Sequence, residues 1–253
     1  MFFSPQFKKF QKIDHCFFTK NNGFSNGIYK SLNCGLSSND NKVSVIKNLK
    51  YVSNKINVNY NNLILMNQTH SNKVILVDDL NKRIKKFNSD AIVTQVKGLA
   101  LGVLTADCVP IILYDKKNEI IGCIHSGWKG FISGIIKNTV NVFKEINKKN
   151  DFFACVGPCI GKKNYEVDLD LVKKFTSKSK KNLNFFLKKK DNKFLFDLRG
   201  CVNAELKELG IKNIYNIDFD TFQDQNNFFS YRRSQKKGEL DYGRCISTIC
   251  LKT

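Results

Sequence analysis

The chain has 253 residues, 42% of them hydrophobic and 12% aromatic, values ordinary for a folded globular protein and too apolar for a disordered one. Its formal charge of +20 invites a nucleic-acid reading, yet the lysines are scattered along the whole chain among many asparagines, which marks a compositional bias rather than a binding stripe. No apolar run approaches the ~20 residues that span a bilayer, and the start, MFFSPQFKKF, lacks the apolar core of a signal peptide.

Nine cysteines, with no Cys-x-x-Cys pair, point to reduced thiols and a cytoplasmic protein. In chain order, HCFFTK (15–20) reads as a strand and NNGFSNG (21–27) as a turn. SSND (37–40) offers caps for a helix across 41–57, where Val45, Ile46, Leu49, Val52 and Ile56 recur at helical spacing. LILMNQ and KVILVD are short strands with His70 between them, and DAIVTQ, LALGVLT, VPIILYD and EIIGCIH are four more. ISGIIKNTVNVFKEI (132–146) is an amphipathic helix and FFACVGPCIG a strand entering a tight turn. LDLVKKF is helical, and TSKSKKNLNFFLKKKDNK (176–193) is a solvated surface excursion. Asp197 caps a helix closed by Gly210, IKNIYNI is a strand, and FFSYRR is read as extended. The expectation is one domain over 1–253, α+β or mixed α/β, with mixed, largely antiparallel sheets and flanking helices.

The most informative stretch is TADCVPIILYDKKNEIIGCIHSGWKG (105–130). With Lys116 and Lys117 as the turn of a hairpin, Cys108 falls directly opposite His125. Pro110 argues that this strand is not central at its start. A thiol beside an imidazole is a Cys–His nucleophile pair, a pair of metal ligands, or a buried cysteine next to a structural histidine. His70 at another strand end would complete a Cys-His-His set, which suits zinc and leaves a fourth coordination place open. SGWKG after His125 leads into a helix, a junction that presents amide N–H groups to an anion. Asp107 sets a carboxylate beside Cys108 for acid–base work.

NQTHSNKV, SDAIVT, GLALGVLTADCVPIILYD, IGCIHSGWKG, VGPCIG…YEV and FFSYRR…GR together resemble the YfiH-type purine nucleoside phosphorylases, also called laccase-domain or polyphenol oxidase proteins. FFTKNNGFSNGIYKSLNCG is similar to the family's opening segment. The resemblance implies a fold shared with Cys–His hydrolases and a zinc held by His70, Cys108 and His125. It implies phosphorolysis of adenosine, inosine and methylthioadenosine, with adenosine deamination as a side activity. Two departures stand out: Lys20 where the family usually has Arg, and Asp220-Thr221 where it often has Cys-Thr.

Multicopper chemistry needs many more imidazoles than the three histidines present, so copper would be at most an adventitious occupant. For phosphate, the expected holders are Arg232, Lys20 and the amides from Ser126 onward. In a strand Arg232 and Arg233 point to opposite faces, so one of them is structural. Asp107 or Glu166 would carry protons, and Phe229 and Tyr231 would stack a purine. The expected partners are purine nucleosides and phosphate, with no membrane, nucleic acid disfavoured, and a homodimer left open. A metal-free Cys–His hydrolase with Cys108 as nucleophile is the rival reading, and a basic RNA-binding module the third.

Overall fold

The structure is a computed structural model that describes residues 1–78 and 87–253. Strand β1 (Ile13–Phe17) leads through loops to helix α1 (Lys42–Lys55), then β2 (Leu63–Asn67) and β3 (Val74–Val77). The short β4 (Phe87–Asn88), β5 (Ala91–Thr94) and β6 (Ala100–Thr105) come next, followed by the hairpin β7 (Val109–Asp115) and β8 (Ile120–Ser126). Two helices, α2 (Trp128–Ile132) and α3 (Ile135–Ile146), precede β9 (Phe152–Val156). β10 (Glu166–Asp168), α4 (Leu169–Lys178), β11 (Phe186–Lys188), β12 (Lys193–Phe196) and α5 (Leu198–Glu208) follow. The chain closes with β13 (Asn213–Asn216), α6 (Tyr231–Lys236) and β14 (Cys245–Leu251).

Among the described residues three sheets result. One runs β1-β14-β6-β2-β4, one β13-β9-β7-β8-β5-β3, and a small one β10-β12-β11. The pairings of β2 with β4 and β6, β3 with β5, and β9 with β13 are parallel, and the others are antiparallel. The mixed α+β expectation is met.

Side-chain alternation sorts the layers. Leu101 and Val103 of β6 meet Ile112 and Tyr114 of β7 and Cys123 of β8 between the two large sheets. On the outer face of the first sheet, Ala100 and Ile246 pack against Val45, Leu49 and Val52 of α1. Beyond the second sheet, Ile111, Leu113 and Ile124 pack against Val140 and Phe143 of α3 and Val202 of α5. Strands covered on both sides read as unbroken apolar runs, which is why VPIILY and EIIGCI lack polar alternation.

Several local expectations are corrected. The β7–β8 turn spans four residues, 116–119, and Asp115 organises it by accepting from Lys117 N at 3.1 Å and Asn118 Nδ2 at 2.6 Å. The register therefore moves by two. Pro110, not Cys108, lies opposite His125, and Cys108 sits in the bend just before β7. Pro110 is tolerated because its backbone faces away from β8, where His125 N–H turns to Asp90 O at 2.7 Å, and toward Gly157, one residue past the end of β9, whose N–H donates to Pro110 O at 2.8 Å; the missing donor thus falls beyond the β7–β9 ladder. The helix expected from 132 is two: Gly134, at φ +86°, breaks α2 from α3. Residues 176–193 are not only a surface excursion, since Phe185 and Phe186 of that stretch pack against the core. FFSYRR is not extended throughout. Ser230 Oγ accepts from Arg233 N at 3.1 Å and caps α6.

Candidate metal centre

Three chain segments converge at one end of the second sheet. His70 stands in the loop after β2 at φ +58°, Cys108 in the bend between β6 and β7, and His125 on β8. Their ligand atoms all lie within 4.8 Å of one another. Cys108 Sγ is 3.8 Å from His70 Nε2, close to the edge of roughly 3.6 Å that a sulfur and a nitrogen ligand span on a tetrahedral zinc. The two imidazole planes meet at 78° with centroids 4.7 Å apart.

Asp90 is the hub of this arrangement. It is fully buried, and Oδ1 stands 2.8 Å from His125 Nδ1. The same carboxylate accepts from His70 N at 2.9 Å, Ser71 N at 2.6 Å and Ser71 Oγ at 2.7 Å. One side chain thus orients the His125 ring and holds the loop that carries His70. Burial works to raise the Asp90 pKa, but donation from His125 and Ser71 outweighs it and holds the carboxyl well below its usual range.

Gly127 makes room. A Cβ there would come within 2.9 Å of both Cys108 Sγ and His70 Cδ2. Burial alone would raise the Cys108 pKa, but the adjacent His125 and His70 draw it down to about 6. Burial opposes charge on His125 as well, yet Cys108 and Asp90 together push its pKa up. The centre favours a thiolate, which is the form a metal takes.

His70, Cys108 and His125 line a cavity of about 380 Å³, within the roughly 300–1,000 Å³ of small-molecule sites. Its wall includes Asn67, Gln68, Tyr242 and Arg244, and Arg244 is the one cation there among the described residues. The Arg244 guanidinium lies 4.3 Å from the Tyr242 ring centroid and donates to Tyr242 O at 3.1 Å. Gln68 is locked to the Leu104 backbone by two bonds of 2.7 and 2.8 Å.

The other sequence-derived residues lie elsewhere. Asp107, at φ +87°, accepts from Thr221 Oγ1 at 2.7 Å, Ser230 Oγ at 2.9 Å and Arg232 N at 2.7 Å, and it does not line the cavity. Ser126 is fully buried, with an unpartnered Oγ, and alternation along β8 turns it to the face opposite His125. Arg232 reaches Glu166 O at 2.7 Å, and its guanidinium lies 5.4 Å from the Tyr165 ring centroid. Arg233 is tied to the carbonyls of Thr221, Phe222 and Phe228. Both arginines belong to a helix, so the strand argument for their opposite faces does not hold. Glu166 pairs with Lys189 at 3.1 Å on the surface. Lys20 and Phe229 line a different cavity, and Tyr231 packs on Tyr242 with ring centroids 5.1 Å apart.

The profile of a family described as multi-copper polyphenol oxidoreductase laccase matches residues 14–252. This chain belongs to that YfiH-type family. A purine nucleoside phosphorylase of Rickettsia conorii is 33% identical over 246 residues, 97% of this chain and 94% of that protein. The Escherichia coli purine nucleoside phosphorylase YfiH is 28% identical over 93% of this chain and 95% of its own length. Among solved structures, Bacillus licheniformis YfiH has a TM-score of 0.88 at 30% identity, over 95% of this chain and 93% of that one. The family description names several coppers, but among the described residues His70, Cys108 and His125 form the one metal-competent group. The remaining histidine, His15, is buried and accepts Ser4 N–H on Nε2 at 2.8 Å.

No helix among the described residues is long and apolar enough to cross a membrane. The residues that the sequence reading missed are Asp90, Gly127, Tyr242 and Arg244. SDAIVT places Asp90 before β5, but nothing in a linear chain tells that its carboxylate turns toward His125.

Proposed function

We propose that the chain is a zinc-dependent purine nucleoside phosphorylase acting on adenosine, inosine and methylthioadenosine. The observation that carries this reading is the three-ligand group, open to a nucleoside-sized cavity that also holds one arginine. The donor set fits zinc: a thiolate, two imidazoles, a carboxylate behind one of them, and a glycine where a Cβ would intrude. Bound there, zinc would act as a Lewis acid with an open coordination position.

The chain's own groups divide the remaining work. Arg244 offers a guanidinium to the phosphate, and its seat on Tyr242 fixes the direction of that offer. In phosphorolysis a phosphate oxygen bonds to C1′ as the bond from C1′ to N9 breaks. The electron pair leaves with the purine, which takes up a proton. Adenosine deamination belongs to the same proposal: water replaces the 6-amino group and ammonia departs. All nine cysteines are unpaired, in keeping with a cytoplasmic location.

Product analysis of adenosine with and without phosphate tests this. Adenine and ribose 1-phosphate, formed only with phosphate, are expected. Absence of both with metal-loaded protein would end the proposal. The lowered Cys108 thiol keeps a second reading alive, a metal-free Cys–His hydrolase, which predicts an activity that survives chelation.

A further inference from the structure

We propose that a second cavity, walled by Lys20, Arg233, Lys237 and Ser234, binds a phosphate-class anion. It encloses about 400 Å³ and shares no lining residue with the cavity of His70, Cys108 and Arg244. Lys30 adds a fourth cation to the wall, and Glu239 is the one carboxylate there among the described residues. A concave surface with this excess of positive charge concentrates anions.

The use of the donors decides the matter. Arg233 is committed to three backbone carbonyls. Ser230 Oγ donates to Asp107, and Ser31 Oγ donates to Lys20 O at 2.9 Å. Lys20 Nζ and Ser234 Oγ have no hydrogen-bond or ion-pair partner among the described residues, although Lys20 is half-buried and Ser234 only 7% exposed. The Lys20 ammonium instead sits 5.9 Å from the Phe229 ring centroid. Burial, then Arg233 and Lys237, push its pKa down. A half-buried cation crowded by like charges gains most from an arriving counter-ion. A phosphate dianion accepts from an ammonium and a hydroxyl at once, whether free or esterified. Ser230 lines this cavity and bonds Asp107, the neighbour of Cys108, so the site lies one residue layer behind the metal centre.

Binding is read without turnover, so this inference stands or falls independently of the phosphorylase reading. The test follows the backbone amide resonances of residues 230–237 in the metal-loaded protein as inorganic phosphate or ribose 5-phosphate is added. Saturable shifts are expected, weakened at least about tenfold in Lys20→Ala and in Ser234→Ala, retained in Lys20→Arg, and unchanged in Arg244→Ala. Tighter binding of ribose 5-phosphate would identify an esterified ligand, and tighter binding of phosphate a free one, both within the proposal. No saturable shift with either probe, or equal affinity in Lys20→Ala and wild type, overturns it. Shifts that vanish in Arg244→Ala would place the anion at the metal centre and overturn it as well.

Discussion

His125 Nδ1 stands 2.8 Å from Asp90 Oδ1. An ionised carboxylate only accepts, so Nδ1 carries the proton and Nε2 is left with its lone pair for a metal. Asp90→Asn presents an amide that can donate where the carboxylate accepted, which disturbs the tautomer. The expected result is metal affinity lowered about 10–100-fold, with the fold retained. Competition against a chromogenic chelator measures it. Unchanged affinity would remove Asp90 from the centre.

Gly127 has φ −79° and ψ 169°, a conformation any residue adopts. Gly127→Ala therefore carries no backbone penalty, and its effect comes from the Cβ that would press on Cys108 and His70. Overpacking of this kind costs about 1–3 kcal/mol, and here it falls on two ligands. Metal analysis after dialysis should find well under one equivalent, while circular dichroism stays unchanged. Full metal content would show that the ligands yield without loss.

Elements were legible where a period or a cap decided them. Val45, Leu49 and Val52 announced α1, and the apolar runs announced β7 and β8, because burial imposes those patterns on the sequence. The grouping of His70, Cys108 and His125 was also legible, since the chain has three histidines and two of them stand at strand ends that flank the same cysteine. The hairpin register was not, because the side chain of Asp115 reshapes the turn and that bond has no linear signal. Asp107 looked catalytic by adjacency, but its positive φ swings the carboxylate to Thr221, Ser230 and Arg232. Arg244 went unassigned for the converse reason: β14 brings it to the cavity from the far end of the chain.

Cys108 differs from the other eight cysteines in the direction of its shift. Its pKa is drawn down to about 6, while burial pushes Cys16, Cys155 and Cys245 up to about 12. In chelator-treated protein the thiolate fraction of Cys108 grows as pH rises through 6, so iodoacetamide at pH 7 should label this residue alone. Bound metal should block the reaction. Mass spectrometry of the labelled peptide decides, and labelling that ignores added zinc would contradict a role for Cys108 as ligand.

Arg244 and Arg232 make opposite predictions. Arg244→Ala removes the one cation that lines the cavity of His70, Cys108 and His125 among the described residues, and should raise the phosphate concentration needed for half-maximal phosphorolysis at least about tenfold. Arg232→Ala removes a bond to Glu166 O and the contact with Tyr165, and should lower the melting temperature without that change. Phosphate titrations beside thermal melts separate the two. A reversed outcome would return the phosphate to Arg232.

His15 is buried as a neutral ring, because Ser4 N–H donates to Nε2 at 2.8 Å and a protonated ring has no acceptor to offer. Burial, reinforced by Lys8, lowers its pKa from 6.5 to about 4. The folded value lies below the unfolded one, so the unfolded chain takes up the proton first as pH falls. The stability tied to the neutral ring is whole above pH 6.5 and drains away as pH drops through about 4. The shift corresponds to roughly 3 kcal/mol over that window. Urea unfolding at pH 7 and near pH 4.5 should show wild type losing more stability than His15→Gln, which keeps an acceptor for Ser4 but does not titrate. Equal losses in the two proteins would mean that His15 is solvated enough to protonate in place.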